Sequence, residues 1–73
     1  MFETNFLSQI LYKRQMSYRD LSKLSGISKS AIEKIVREEA DPRQSTMISI
    51  ARALNMEVAD VFNLDWRKWL WIT

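Results

Sequence analysis

The side chains able to do chemistry in this sequence are eleven Lys and Arg, nine Asp and Glu, a scatter of hydroxyls, and three Trp crowded towards residue 73. His and Cys are both absent. That removes the usual general base, the commonest metal ligand and the thiol nucleophile, together with any disulfide framework. No Ser has a base partner to activate it, so hydroxyl catalysis is not expected. The carboxylates of Glu38, Glu39 and Asp41 run close together. Without the alternating spacing and the glycine of a calcium loop they read as a solvated turn. An enzyme is not expected, nor a cofactor, a metal site or a small-molecule substrate. What remains is the chemistry of a binding module: charge, hydrogen bonding and apolar contact.

Cations and aromatics are both unevenly placed. Residues 1–37 hold seven Lys and Arg (Lys13, Arg14, Arg19, Lys23, Lys29, Lys34 and Arg37) against Glu3, Asp20 and Glu33, whereas residues 38–73 hold four against six. A basic half can attract nucleic acid or an acidic protein surface. Trp66, Trp69 and Trp71 lie with Leu70 and Ile72 in the last eight residues. Trp66 is expected to fold back over the core. Trp69 and Trp71 are harder to bury in so small a domain, and a cluster of Trp beside Arg is expected as a protein-interaction surface. A membrane surface is not expected, because the segment is short and offers only Arg67 and Lys68 as cations.

The elements that hold these groups must be helices. One Gly and one Pro are too few for the turns of a sheet protein and suit helices joined by short turns. An apolar fraction of 47% with 27% charged residues describes a folded domain, not a disordered one. A chain of 73 residues has room for one small domain, burying about 60% of its unfolded surface. No run of about 20 apolar residues is present to span a membrane. Residues 1–15 carry neither a basic leader nor a cleavage site, so a cytoplasmic protein is expected.

Apolar periodicity predicts five helices. Phe6, Leu7, Ile10 and Leu11 mark the first, from Asn5 to Gln15, with Thr4 as its cap and Phe2 as a staple. Ser17 and Asp20 make a capping-box start for the second, Tyr18 to Leu24, whose apolar side is Leu21 and Leu24. Gly26 supplies its left-handed stop. Ser28 caps the third, which runs to Arg37 through Ala31, Ile32, Ile35 and Val36. Pro42 ends the loop that begins at Glu38. The fourth, Ser45 to Leu54, turns Met47, Ile48, Ile50, Ala51 and Leu54 inward and stops at Asn55. The fifth, Glu57 to Asn63, is drawn from Val58, Val61, Phe62 and Leu64. Met16, Met47 and Met56 occupy apolar positions as core filler. The chain thus divides into a helical domain over residues 1–64 and a Trp-rich tail over residues 65–73.

Two short helices joined by Ser25-Gly26-Ile27 form a helix-turn-helix unit. The run Met16-Ser17-Tyr18-Arg19-Asp20-Leu21-Ser22-Lys23-Leu24-Ser25-Gly26-Ile27-Ser28-Lys29-Ser30-Ala31-Ile32 carries it, followed by Pro42, Ile50-Ala51-Arg52-Ala53-Leu54-Asn55-Met56 and Val61-Phe62. Over residues 5–64 this sequence resembles the lambda-repressor-like family of the Cro/CI or XRE type. The resemblance implies an all-α, compact five-helix lambda-repressor-like fold in a regulator of a bacterial host cell. It also implies a third helix that enters the DNA major groove while the second rests across the backbone. Carried over by position, Lys29, Ser30, Glu33 and Lys34 face the bases, on a helix face bounded by Ser28 and Arg37. Tyr18, Arg19 and Lys23 on the second helix, and Glu38 in the turn after the third, make the flanking contacts. Lys29 and Lys34 can donate to guanine, Ser30 serves several bases, and Glu33 accepts from cytosine.

Several positions depart from the family pattern. Tyr18 and Lys29 stand where Gln is usual, and Glu38-Glu39-Ala40-Asp41 stands where a Gly and basic or polar residues face phosphate. Leu11 and Val36 replace a buried Arg and Glu and are expected in the core, an ion pair exchanged for apolar contact. From Ser28 to Pro42 carboxylates outnumber cations by four to three. That balance is unfavourable for a surface whose affinity comes from neutralising phosphates. The expectation is therefore a small phage-type regulator resembling temperate-phage antirepressors of the modulator-of-repression type. Its partner would be the phage master repressor, whose basic reading head the acidic turn complements, and whose operator binding it would block in a lysis-lysogeny switch. The alternative is a Cro-like repressor that binds operator DNA as a dimer, with half-sites about one helical turn apart. An antitoxin or a structural subunit stays open as a third class, although only the nine-residue tail could wrap a toxin.

Overall fold

The computed structural model describes residues 5–63. Within them lie five α-helices: Leu7–Arg14 (α1), Tyr18–Ser25 (α2), Lys29–Val36 (α3), Gln44–Leu54 (α4) and Val58–Val61 (α5). The cap expected of Thr4, the staple of Phe2, the apolar contact of Leu64 and the roles of Trp66, Trp69 and Trp71 fall on residues outside that range.

Each helix turns one stripe inward, at the three- and four-residue spacing of an amphipathic helix. Leu7 and Leu11 of α1, Leu21 of α2, Ile32 and Ile35 of α3, and Met47, Ile50, Ala51 and Leu54 of α4 are buried together with Val61 and Phe62. α2 lies against both α3 and α4, and α5 lies against α4. A fully buried Leu or Ile of this kind contributes about 1.5–3 kcal/mol. Leu11 is buried and Val36 packs half-buried against the core, so apolar contact occupies both positions where the family carries an ion pair. Met47 is buried, and Met16 and Met56 pack at the margin.

Two apolar residues expected inside are not. Leu24 is 60% exposed. Three residues on from Leu21, it is rotated by roughly 60° round the helix, and Leu21 is the one buried side chain of α2. Ile48 is half-buried, because it sits one residue, or roughly 100°, off the stripe that Met47 begins.

The helix ends explain how one glycine suffices. Gln15, Glu38 and Asn55 all adopt left-handed backbone, with φ of 54°, 62° and 57°. Each closes its helix with the same pair of bonds. Met16 N–H donates to the Leu11 carbonyl (2.9 Å) and Gln15 N–H to Tyr12 (3.1 Å). Glu39 donates to Lys34 (2.8 Å) and Glu38 to Ile35 (3.0 Å), while Met56 donates to Ala51 (2.9 Å) and Asn55 to Arg52 (3.0 Å). α2 instead stops on Gly26, at φ 76° with one bond to the Ser22 carbonyl. A Cβ at Gly26 would meet nothing within 4 Å, so the glycine is needed for its backbone angle and not for room. The first helix ends at Arg14, one residue short of expectation, because Gln15 has already turned left-handed.

Its start also differs. α1 begins at Leu7, not Asn5, because Asn5 is extended and pairs with Phe62 in an isolated antiparallel bridge. Phe6 N–H donates to the Val61 carbonyl across it (2.8 Å). The buried Asn5 side chain accepts from Leu7 N–H (3.1 Å) and donates to the Ile35 carbonyl (2.9 Å). One amide therefore caps α1 and ties it to α3. The same bridge ends α5 at Val61 instead of Asn63, since Phe62 must be extended. Arg14 Nη1 donates to the Leu54 carbonyl (2.6 Å), joining α1 to α4 at the negative end of the α4 dipole. α4 opens at Gln44, one residue earlier than expected, from an extended Arg43. No helix among the described residues is long and apolar enough to cross a membrane.

Candidate nucleic-acid interface

The helix-turn-helix unit is held by short hydroxyl contacts that the sequence dictates locally. Ser17 Oγ accepts from Asp20 N–H (3.0 Å), and Ser17 N–H donates to the Asp20 carboxylate (3.1 Å). This capping box starts α2. The Ser17 backbone N–H, then its hydroxyl, hold the Asp20 carboxyl below the usual Asp range, with Lys23 and Arg19 adding to the effect. In the turn, Ser25 Oγ accepts from Ile27 N–H (3.2 Å), and Ser28 Oγ accepts from Ala31 N–H (3.2 Å) to start α3.

With Ile32 and Ile35 locked in the core, the opposite face of α3 is fixed in orientation. Ser28, Lys29, Ser30, Lys34 and Arg37 are exposed on it, and Glu33 is half-buried. Lys29 Nζ lies 3.6 Å from Glu33 Oε1. Beside this face runs an open groove of about 570 Å³. Ser28, Ser30 and Lys34 line it together with Asp41, Arg43 and Thr46.

The predicted residues therefore separate into groups. Ser28, Ser30 and Lys34 come together in the groove, while Lys29 and Glu33 form a pair on the adjoining turn. Lys23 lines a different depression, with Arg14, Gln15, Met16, Asp20 and Leu24. Arg19 and Arg37 are exposed outside both. Tyr18 is half-buried with its side chain against the core. Glu38 is exposed in its left-handed turn. Trp69 and Trp71 lie outside the described residues. Among the described residues no group of three His, Cys, Asp or Glu gathers at one place.

Arg43 and Thr46 escaped the sequence reading. The signal for Arg43 was present, since a cation directly after Pro42 is placed to begin the next helix. Extending the charge count from Ser28 through Arg43 gives four cations and four carboxylates. With Lys29 and Glu33 engaged on each other, the groove presents Lys34 and Arg43 with Asp41. Such a surface offers hydroxyl and cationic donors on a rigid helix, the chemistry that base edges and phosphates accept.

A family model described as a Cro/C1-type HTH DNA-binding domain matches residues 6–65, a span that takes in all five helices and the groove. No curated protein matches the chain.

Proposed function

We propose that this chain, which belongs to the Cro/C1-type helix-turn-helix DNA-binding domain family, is a transcriptional regulator that reads operator DNA with the exposed face of α3. The observation that carries this reading is the groove that Ser28, Ser30 and Lys34 of α3 line together with Arg43 of the α3–α4 connection. Two cations in one groove can serve the flanking backbone, where phosphate contacts set register while the helix face reads sequence. The pairing of Glu33 with Lys29 removes an objection, because the carboxylate is not left to repel phosphate. A Cro-like regulator of this kind acts as a symmetric dimer on half-sites about one turn apart.

A second reading, an antirepressor that binds a phage-type repressor, draws support from another observation. Glu38 and Glu39 are exposed where α3 ends, and an acidic edge complements a repressor whose own reading head is basic.

One experiment separates the two. Gel shifts on the promoter region beside the gene, at fixed salt, are run with the protein alone and with the neighbouring repressor. The DNA reading expects a sequence-specific shift by the protein alone that Lys34→Glu abolishes. No shift alone, combined with loss of the repressor's own shift, overturns it in favour of the antirepressor.

A further inference from the structure

Lys29 is the first residue of α3, and Glu33 follows one turn later, with Nζ 3.6 Å from Oε1. For helix stability this order is wrong. It puts a cation at the positive end of the helix dipole and the carboxylate behind it, the weaker orientation of an i,i+4 pair. The side chains are also 56% and 30% exposed, and ion pairs so open to solvent contribute little. Stability does not explain the arrangement, yet it occupies the start of the helix that reads DNA.

An ammonium and a carboxylate are opposite halves of the major-groove code. The ammonium donates to guanine O6 and N7, and the carboxylate accepts from the cytosine N4 amino group. Guanine O6 and cytosine N4 lie side by side on the major-groove edge of one G·C pair, within reach of two groups held 3.6 Å apart. We infer that Lys29 and Glu33 act as one reading unit that selects a G·C pair, the ammonium on guanine and the carboxylate on cytosine, an inference that rests on the DNA reading above. Glu33 does two things in this unit. It rejects the acceptor edges of guanine and thymine at its own position. It also holds Lys29 over the bases instead of on a phosphate, turning a sequence-independent contact into a specific one.

The test is selection of sites from randomised duplexes by the full chain at fixed salt, followed by titration of the selected site and its single-base variants. The wild-type half-site is expected to hold that G·C pair at a fixed position, and replacing it by A·T should weaken binding about tenfold. Glu33→Ala, which removes the acceptor, should lose the preference at that position and, with Lys29 released to phosphate, steepen the salt dependence by about 0.9 in log–log slope. The charge-swapped Lys29→Glu/Glu33→Lys variant should melt higher than wild type, because its pair now favours the helix, while failing to bind the selected site. A selected site with no fixed G·C pair, or an unchanged preference in Glu33→Ala, overturns the inference and leaves the DNA reading standing. Failure to select any site overturns both.

Discussion

Glu38 holds a left-handed backbone with φ of 62°, a conformation that costs an ordinary L-residue about 1–2 kcal/mol relative to glycine. The two backbone bonds that close α3 there, from Glu38 to Ile35 and from Glu39 to Lys34, demand the angle but not the side chain. Glu38→Gly should therefore stabilise the fold by about 0.5–1 kcal/mol, part of the relief being lost to the greater freedom of glycine in the unfolded chain. In a domain of this size that raises the melting temperature by about 4 °C or more, which circular dichroism would read. A lower melting temperature would show that the Glu38 side chain contributes more than its backbone costs. Residue chemistry was legible where it is local. Ser17, Ser28, Gly26 and Asn55 all behave as their types predict, since a cap bonds within its own turn. Gln15 and Glu38 gave no such sign, because their side chains do not favour the conformation that the following helix packing imposes on them.

At the scale of elements, the long-range contacts decide what local pattern cannot. The positions of α1 to α4 follow from apolar spacing, but the start of α1 and the end of α5 are set by the Asn5–Phe62 bridge. Nothing in either local stretch announces a partner more than fifty residues away. Leu24 shows the converse limit: periodicity put it on the apolar side of α2, and the neighbouring surface of Arg14, Gln15 and Met16 leaves it open. Asn5 deserves the sharper test, because its one buried amide serves two helices. Asn5→Ala removes the acceptor for Leu7 N–H, leaving one buried backbone donor unpaired at a cost on the order of 1–3 kcal/mol, while the Ile35 carbonyl loses the amide and keeps its bond from Glu38 N–H. Denaturant titration of the full chain should show that loss with an unchanged slope, and amide exchange should quicken at Leu7. Stability within about 0.3 kcal/mol of wild type, well under the usual cost of an unmade buried bond, would mean that the amide is not needed where the structure puts it.

For the whole molecule the question is where charge meets nucleic acid. The sequence put every base-facing candidate on one helix, and α3 has eight residues whose buried side chains fix its rotation. It did not single out Arg43, since only folding brings the residue after Pro42 into the same groove as Lys34. That juxtaposition makes the salt dependence of binding a map of the surface. A cation that neutralises one phosphate contributes about 0.9 to the slope of log affinity against log salt, whereas a contact to a base contributes affinity without that slope. Arg43→Ala is therefore expected to weaken binding to specific and random duplexes alike and to flatten the slope by about 0.9. Lys29→Ala, with its charge already matched by Glu33, should weaken the specific duplex alone and leave the slope nearly unchanged. If instead Arg43→Ala leaves the slope untouched while Arg19→Ala or Lys23→Ala flattens it, the phosphates run along α2 and its neighbouring depression. The groove between α3 and α4 would then not be the edge of the interface.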